Sequence, residues 1–351
     1  MQSTNVVRWL DDLEDADRTV VGGKVAELAR LRRSGFAVPD GFAITAEAFV
    51  ATLRSNGIEE EITRVADQVR DDAQAEQAEQ RCRRMVAECV LPAEVVAAIE
   101  DGYNGLIARQ RNPRPQVAVR SSALREDLAQ ASSAGQYDSF LGISGIEAII
   151  DAVRRCWMSL FSQRALVYRA RNGISTASSP MAVAVVELVE ARSAGVAFSV
   201  HPVTGNPDRL TIESTFGWGE SLVQGRVRPD RFEVDRDAGR ILRRDIARKS
   251  WVSCRTDQGR IAEMPMPAVL ADQPSLADEE VQAISDVLLR VEAMLGYHVD
   301  MEWVWPQRAS APVVVQARPG TVHATAPART PAASADPFAA ALRHSPSMVV
   351  R

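Results

Sequence analysis

Residues 117–127 read Val-Ala-Val-Arg-Ser-Ser-Ala-Leu-Arg-Glu-Asp. The apolar run at the start of this stretch is typical of a buried strand, so the sequence predicts that Arg120 leaves a strand and enters a loop. Small residues follow at 131–136, Ala-Ser-Ser-Ala-Gly-Gln. A cation at a strand end beside such a loop indicates a phosphate site. The alternative is an ordinary surface ion pair between Arg120 and Glu126 or Asp127.

A second candidate phosphate contact is Val-Gly-Gly-Lys at 21–24. Glycines let backbone N–H groups approach an anion, and Lys24 adds a positive charge. Val25 stands where a Walker A loop needs Ser or Thr, which excludes that motif. Apolar residues then recur at helical spacing from 24 to 34 and Gly35 follows, so we expect Lys24 near the N-terminus of a helix. The alternative is a tight turn with a surface lysine.

A third candidate lies on a hairpin that the pattern predicts at 299–305 and 312–318. Residues two apart on a strand project from the same face. If 302 pairs with 316 and 300 with 318, one patch collects the side chains of Asp300, Glu302, Gln316 and Arg318. Carboxylate and amide oxygens suit Mg²⁺, and an arginine can hold a phosphate bidentately. The alternative is a solvated polar strand face. The opposite face is predicted to be buried through Met301, Trp303 and Val315.

Composition limits the class of protein. The chain has 351 residues, and chains above roughly 250 to 300 residues usually divide their core, so we expect two lobes and a tail. Its 41 Lys and Arg against 46 Asp and Glu give a net charge of −5, and without a basic tract this argues against nucleic-acid binding. No stretch resembles a signal peptide or reaches membrane-spanning length, so a cytoplasmic protein without membrane contact is predicted. The four cysteines lack the spacing of zinc sites and are expected to be reduced thiols, mostly in packing roles.

The order of patterns along the chain predicts an α+β protein. Helical spacing and charged residues dominate from 46 to 110, and Ser144 begins a candidate capping box for a later helix. From 181 onward, short apolar runs separated by Gly, Pro and Asp indicate strands. We therefore expect an N-terminal lobe at 1–180, a C-terminal lobe at 181–322, and a short disordered tail, rich in Ala and Pro, at 323–351.

Ordered blocks of sequence across residues 17–322 resemble the N-terminal ATP-binding domain of the phosphoenolpyruvate synthase, pyruvate phosphate dikinase and rifampin phosphotransferase family. Each block is weak alone, but their order is specific. The blocks lie at 22–29, 38–45, 117–123, 126–128, 134–136, 156–161, 164–169, 195–205, 217–220, 229–232, 300–303 and 315–319. The resemblance implies an ATP-grasp fold, in which two α+β lobes close on ATP, with Mg²⁺ as a second cofactor.

The resemblance also implies roles for residues at matching positions. Three cations would contact the ATP phosphates during catalysis, namely Lys24, Arg120 and Arg318. The loop that covers the phosphates would include Gly135 and Ser139. Mg²⁺ would be held in the nucleotide site by Glu302 and Gln316, with Asp300 beside them. Backbone groups from Glu187 to Val189 would bind the adenine.

A few positions depart from the family or stay ambiguous. Val186 stands where the family commonly has Gln beside the nucleotide, so a side-chain contact is lost there. His201 replaces a common Asp, and Ser139 replaces a frequent Thr. The Gly-Trp-Gly-Glu segment at 217–220 could bring backbone close to a ligand or could form only a turn.

Family members normally continue into a swivelling domain with a phosphohistidine, and His344 does not match that motif. We therefore expect the ATP-binding catalytic subunit of a split phosphotransferase, similar to that of phenylphosphate synthase. It would transfer phosphate from Mg-ATP to a histidine on a separate partner protein, with release of AMP and phosphate, and the final acceptor would be a small molecule. The alternatives are a self-sufficient ATP-grasp kinase or ligase that acts directly on a small molecule, and a nucleotide-binding module without catalysis.

Overall fold

The computed structural model describes residues 6–124, 137–223, 225–256 and 258–320. Three predictions fall outside these residues: the position of Gly135, the tail at 323–351, and the pairing of Arg120 with Glu126 or Asp127. The described residues combine helices and sheets, which confirms the mixed α and β class. Within them, no helix is both long enough and apolar enough to cross a membrane.

The described strands are β1 (Val7–Trp9), β2 (Gly41–Ile44), β3 (Val117–Ala123), β4 (Ser139–Ile143), β5 (Met181–Glu187), β6 (Ala191–Phe198), β7 (Arg209–Phe216), β8 (Asp230–Asp235), β9 (Ile241–Asp245), β10 (Trp251–Arg255), β11 (Ile261–Pro265), β12 (Val299–Pro306) and β13 (Val313–Pro319). The described helices are α1 (Arg18–Arg33), α2 (Ala46–Ser55), α3 (Glu59–Asp67), α4 (Asp72–Glu88), α5 (Ala93–Gln110), α6 (Ile146–Ser159), α7 (Gln163–Asn172), α8 (Glu220–Val223) and α9 (Asp278–Leu295). Three short 3-10 turns complete the set.

The first sheet is antiparallel, with the strand order β1-β2-β5-β3-β4. Helices α2 to α6 contribute apolar side chains to one core with this sheet, and its largest buried members are Phe42, Phe49, Trp157 and Phe161. The prediction that 46–110 is mostly helical is confirmed. Those helices are rich in charged residues, as the sequence indicates, but each of them also buries apolar residues in this core.

The second sheet is also antiparallel, with the strand order β13-β12-β6-β7-β8-β9. Helix α9 packs against it through an apolar stripe at helical spacing, and Gly296 ends the helix with a φ of 80°. Met301 and Trp303 lie in the core between helix and sheet, as predicted.

The chain crosses from the first sheet to the second at residues 188–190, the inter-sheet connection. Strand character begins at 181, which is why the sequence suggested a boundary at 180. The pairing of β5 with β2 and β3 instead keeps residues up to Glu187 in the first sheet. A third core lies between the sheets and joins α1 to both, through residues that include Val25, Leu28, Ala118, Val186, Ala194, Trp218 and Val304.

Arg120 does not leave its strand, so that prediction was wrong. Strand β3 continues to Ala123, and Ser121 and Ser122 pair with Val183 and Ala182 of β5. Both serines are fully buried. Small polar residues suggested a loop, whereas here their small size lets them fit a crowded sheet interior.

The capping box predicted at Ser144 does not form. Gly145, with a φ of 91°, precedes the first turn of α6, and no side chain caps it. The Gly145 N–H donates instead to the Tyr103 hydroxyl at 3.1 Å, and Ser144 Oγ lies 3.4 Å from the same hydroxyl. A tyrosine from α5 therefore takes the place of the predicted local cap.

Candidate functional site

The hairpin of β12 and β13 has the register on which the sequence interpretation depended. Glu302 pairs with Gln316, and Asp300 pairs with Arg318. Arg318 Nε lies 3.5 Å from Asp300 Oδ2, and the Asp300 side chain is almost fully buried. The four polar residues therefore share one face of an edge hairpin.

A β-bulge interrupts this hairpin next to Glu302. The register passes from Glu302–Gln316 to Trp303–Val314, so Val315 is the extra residue. Val315 packs in the core between the sheets, apart from Met301 and Trp303, with which it had been grouped. Its carbonyl accepts a hydrogen bond from Arg120 Nη1 at 2.9 Å. The bulge thus gives Arg120 an anchor on the second sheet.

Arg120 joins the two sheets through an ion pair. Its Nη2 donates to Glu302 Oε2 at 2.6 Å, and both side chains are about one-fifth exposed. The sequence left open a local ion pair with Glu126 or Asp127, which lie outside the described residues. The partner in the structure is Glu302, which lies 182 positions further along the chain.

Three cations act on the Glu302 carboxylate. Burial alone would raise the pKa of Glu302, but Arg120, Arg318 and Lys24 outweigh it and hold that pKa below its ordinary value. These cations come from β3, β13 and α1. The fold therefore collects the three predicted phosphate contacts around one carboxylate.

Lys24 is positioned by a break in α1. Gly22 has a φ of 77° and a ψ of 167°, so the helix restarts just before Lys24, as predicted, although helical turns also precede the break. Ser122 Oγ accepts a hydrogen bond from the Val25 N–H at 3.4 Å. A Cβ on Gly22 would lie 2.4 Å from that same Oγ, so only glycine fits there. Contact with β3 thus fixes Lys24 beside the strand that carries Arg120.

The donor set on the hairpin suits a hard cation. Asp300 and Glu302 offer carboxylate oxygens and Gln316 offers an amide oxygen, all on neighbouring positions of one face. No group of three or more His, Cys, Asp or Glu side chains able to hold a metal occurs within the described ranges. A metal here would therefore depend on the amide and on the bound substrate for further oxygens.

Ser139 lies opposite Arg120 in the register of β3 and β4 and is half-buried. This places it at the same level of the first sheet as the phosphate candidates. Gly135, the other residue of the predicted covering loop, lies outside the described residues.

The segment from Glu187 to Val189 is held from both sides. The Glu187 N–H donates to Asp40 O at 2.7 Å, and the Leu188 N–H donates to Gln116 O at 3.0 Å. The Val189 carbonyl accepts a hydrogen bond from Trp218 Nε1 at 2.9 Å. Fewer backbone groups are therefore open to a base than the sequence suggested.

Two of the departures from the family, Val186 and His201, have structural explanations. Val186 is buried in the core between the sheets, so an apolar side chain suits that position. His201 Nδ1 accepts hydrogen bonds from the N–H groups of Val203 and Thr204, at 3.3 and 3.1 Å. An aspartate oxygen makes the same kind of turn, so His201 can replace the common Asp in this structural role.

The four cysteines are free thiols, as expected. Burial raises the pKa of Cys82 to about 12 and also raises the pKa values of Cys89 and Cys156. A thiol with a raised pKa is a poor nucleophile at neutral pH. These three cysteines are therefore packing residues rather than reactive ones.

Sequence reasoning missed two residues that shape the site, Ser122 and Trp218. Ser122 had been treated as part of a loop, and its spacing of two from Arg120 was the available signal. Trp218 stood in a glycine-rich segment whose role was left open. A large aromatic residue between two glycines was the signal that the backbone must make room for it.

Comparison with known proteins agrees with this architecture. The family described as pyruvate phosphate dikinase, AMP/ATP-binding domain, matches residues 18–336. A probable phosphoenolpyruvate synthase of Methanothermobacter thermautotrophicus is 36% identical over 299 residues, which cover 85% of this chain and 43% of the relative. A rifampicin phosphotransferase of Streptomyces sviceus is 38% identical over 304 residues, 84% of this chain and 34% of the relative.

A probable phosphoenolpyruvate synthase of Methanocaldococcus jannaschii is 33% identical over 321 residues, 91% of this chain and 27% of the relative. The chain thus spans between about a quarter and under half of the length of these curated relatives. Because the family match covers most of the chain, the protein belongs to the pyruvate phosphate dikinase family of AMP/ATP-binding domains.

Proposed function

We propose that this chain binds Mg-ATP and catalyses the ATP-dependent half of a phosphotransfer reaction. The observation that carries the proposal is the ion pair of Arg120 with Glu302 at 2.6 Å, with Arg318 on the same hairpin face and Lys24 held beside β3. Phosphoryl transfer chiefly requires that the protein positions the reacting groups and neutralises the charge of the phosphates. Three cations fixed on three separate elements supply both.

Each side chain has a defined task in this proposal. Lys24 and Arg120 hold the phosphates, and Arg318 stabilises the charge that develops on the transferring group. Asp300, Glu302 and Gln316 would hold Mg²⁺, which would neutralise phosphate charge when bound. Ser139 and Gly135 belong to the segment that covers the phosphates. Because Glu302 binds Arg120 in the structure, nucleotide binding requires Arg120 to exchange this carboxylate for a phosphate.

We propose that the two sheets are the two lobes of an ATP-grasp fold. The distinct cores of the sheets support this division, as does the inter-sheet connection at 188–190, where the described chain passes from the first sheet to the second. In this view the N-terminal lobe ends near 187 rather than 180, the C-terminal lobe extends to about 322, and the tail begins at 323. Val189 would contribute backbone contacts to the adenine and Glu187 would border it.

On the acceptor side, we propose that the histidine that receives phosphate lies on a separate partner protein. This chain covers under half of each relative described above. The proposed reaction consumes ATP and water, forms the phosphohistidine, and releases AMP and inorganic phosphate. The phosphohistidine would then pass its phosphate to a small molecule.

The test compares Arg318→Ala with Arg228→Ala, which removes an exposed arginine paired with Asp245. Binding of Mg-ATP is measured by calorimetry, and products are followed by phosphorus NMR in the presence of a separately purified phosphohistidine-domain protein of this family. Loss of one charge-stabilising contact lowers the rate by about 100-fold or more. We expect this for Arg318→Ala, whereas Arg228→Ala keeps the wild-type rate.

Two results would contradict the proposal. A wild-type rate in Arg318→Ala would remove the charge clamp from the mechanism. Formation of ADP by the chain alone would favour a self-sufficient kinase over a split phosphotransferase, and the same assay detects it directly.

A further inference from the structure

The inter-sheet connection links β5 directly to β6. The Leu188–Val189 peptide, which carries the Val189 N–H, lies in this connection between two peptides that are held by hydrogen bonds. The peptide between Glu187 and Leu188 is held because the Leu188 N–H donates to Gln116 O. The peptide that follows Val189 is held because its carbonyl accepts from Trp218 Nε1. The peptide between Leu188 and Val189 is therefore fixed at both of its ends.

Trp218 reaches this connection from the end of β7. Its ring is 5% exposed and lies in the core between the sheets. Gly217 has a φ of 71°, and a Cβ there would lie 2.0 Å from Ser253 O, so the backbone of β10 packs directly against it. The backbone N–H of Trp218 donates to the same Ser253 carbonyl at 3.2 Å. The place of the indole is thus set by backbone contacts with the β10–β11 hairpin.

The same hairpin also holds the other side of the connection. Arg255, at the end of β10, pairs with Glu190 and binds the Gln116 side chain, and its guanidinium lies 5.8 Å from the centre of the Trp218 ring. Gln116 Nε2 donates to Gly259 O at 2.6 Å. Trp218 and Arg255 therefore brace the connection from two directions.

Within the described part of the chain, no acceptor is found for the Val189 N–H. Glu187 pairs with Val117 of β3, three positions before Arg120. At about 3.3 Å per residue, this separates the connection from the phosphate candidates by about 10 Å along the strand, a distance that a nucleoside can span. The connection thus presents a fixed donor where the base of a bound nucleotide would lie.

We propose that Trp218 is a positioning residue for nucleotide-base selection, which rests on the proposed binding of ATP. By holding the Val189 carbonyl, it fixes the Val189 N–H to donate to an unprotonated ring nitrogen of the base. Adenine offers such an acceptor at N1, whereas guanine carries a proton there and would oppose the donor. Trp218 therefore favours ATP over GTP without contact with either base.

Trp218→Phe removes the indole donor and keeps an aromatic ring. Dissociation constants are measured by calorimetry, with Mg²⁺, for ATP, GTP and inorganic tripolyphosphate. One neutral hydrogen bond corresponds to about threefold to tenfold in affinity. We expect ATP binding to weaken by this factor, the preference for ATP over GTP to narrow, and tripolyphosphate binding to stay at the wild-type value.

Trp157→Phe is the matched control. Trp157 is buried in the core of the first sheet, and its Nε1 has no hydrogen-bond partner, so the same chemical change removes no such bond. We expect a lower melting temperature with unchanged nucleotide selectivity. Arg255→Ala loosens the connection from its other side and is expected to narrow the ATP preference as well, so the inference stays testable if Trp218→Phe does not fold.

The outcomes separate this inference from the proposed function. If the wild-type protein binds neither ATP nor tripolyphosphate, the proposed function fails, and this inference with it. If it binds both but Trp218→Phe keeps the wild-type selectivity, the function stands and the inference is wrong. Equal weakening of ATP and tripolyphosphate would also overturn it, because the effect would then lie at the phosphates.

Discussion

Gly22 positions Lys24 because, without a side chain, its backbone can pack directly against Ser122. Its backbone lies in a region reserved for glycine, and an added Cβ would lie 2.4 Å from Ser122 Oγ and 2.5 Å from Ser122 O. Gly22→Ala is expected to lower the free energy of unfolding by about 3 kcal/mol or more, because strain and overpacking add. Urea denaturation measures this change. Mg-ATP binding should weaken too, since Lys24 follows two residues later.

Gly35→Ala provides the control for backbone strain. Gly35 also has a positive φ, 81°, but nothing lies within 4 Å of an added Cβ. It should cost only about 1–2 kcal/mol and leave nucleotide binding unchanged. Equal effects of the two substitutions would show that contact with Ser122 does not matter.

Arg120 shows what a local pattern can and cannot predict at this scale. The apolar residues before it correctly predicted a buried strand, but the strand was expected to end at Arg120, whereas β3 continues to Ala123. Its partner Glu302 is distant in sequence, so no local pattern could reveal their ion pair. The nearest acidic residues, Glu126 and Asp127, were the only partners that proximity could suggest. The strand before Arg120 was therefore predictable, but the end of that strand and the ion-pair partner of Arg120 depended on the fold.

At the scale of elements, β8 is tied to the segments after β9 and before α9 by a buried ion pair. Lys249 Nζ lies 2.6 Å from Asp230 Oδ1, and both side chains are fully buried. The lysine also donates to the carbonyls of Ala247 and Gln273, while Asp230 accepts from the N–H and the hydroxyl of Ser275. This network fixes the path of the chain into and out of the β10–β11 hairpin.

Lys249→Met is expected to destabilise the protein strongly. It leaves the Asp230 carboxylate buried without a cation, which typically costs about 3–5 kcal/mol. Thermal and urea denaturation measure the change. Arg228→Ala breaks an exposed pair with Asp245 and should change stability by less than about 1 kcal/mol. A similar small effect of Lys249→Met would mean that the buried network does not hold these elements together.

Two hairpins show why some elements were predictable. In β12 the polar and apolar residues alternate, so the sequence predicted both strands of β12–β13, while their register was only a condition that the structure meets. In β10–β11 the alternation is weak, because most positions are exposed or half-buried on both faces. The second hairpin, which braces the inter-sheet connection, was therefore missed. Alternation of polar and apolar residues reveals a strand only when one of its faces is clearly buried.

At the scale of the whole molecule, polar contacts join the sheets in addition to the apolar core that lies between them. Arg120 binds Glu302 and the Val315 carbonyl, and Gln116 binds the hairpin at Gly259. The lobe boundary had been placed at 180, before β5, because residue patterns mark the start of strands but not the sheet that each strand joins. Strand order is a long-range property, and only the folded chain determines it.

The inter-sheet ion pair predicts how stability depends on pH. The cations around Glu302 hold its pKa below the ordinary value of 4.5. A carboxyl group with a lowered pKa contributes stability that is fully present above its unfolded pKa and is lost as the pH falls through its folded pKa. Wild-type protein should therefore be more stable than Glu302→Gln at pH 7, and this difference should shrink below about pH 4.5.

Urea denaturation of both proteins between pH 7 and pH 3 tests this expectation. Asp278→Asn serves as control, because Arg244 lowers the pKa of Asp278 in an exposed pair away from the sheet contact. Solvent screens that pair, so its pH-dependent contribution should be smaller than that of Glu302. If the stability difference between wild type and Glu302→Gln stays constant across this range, ionised Glu302 does not hold the sheets together. If it shrinks as expected, acid loosens the contact that must also open for Arg120 to reach a phosphate.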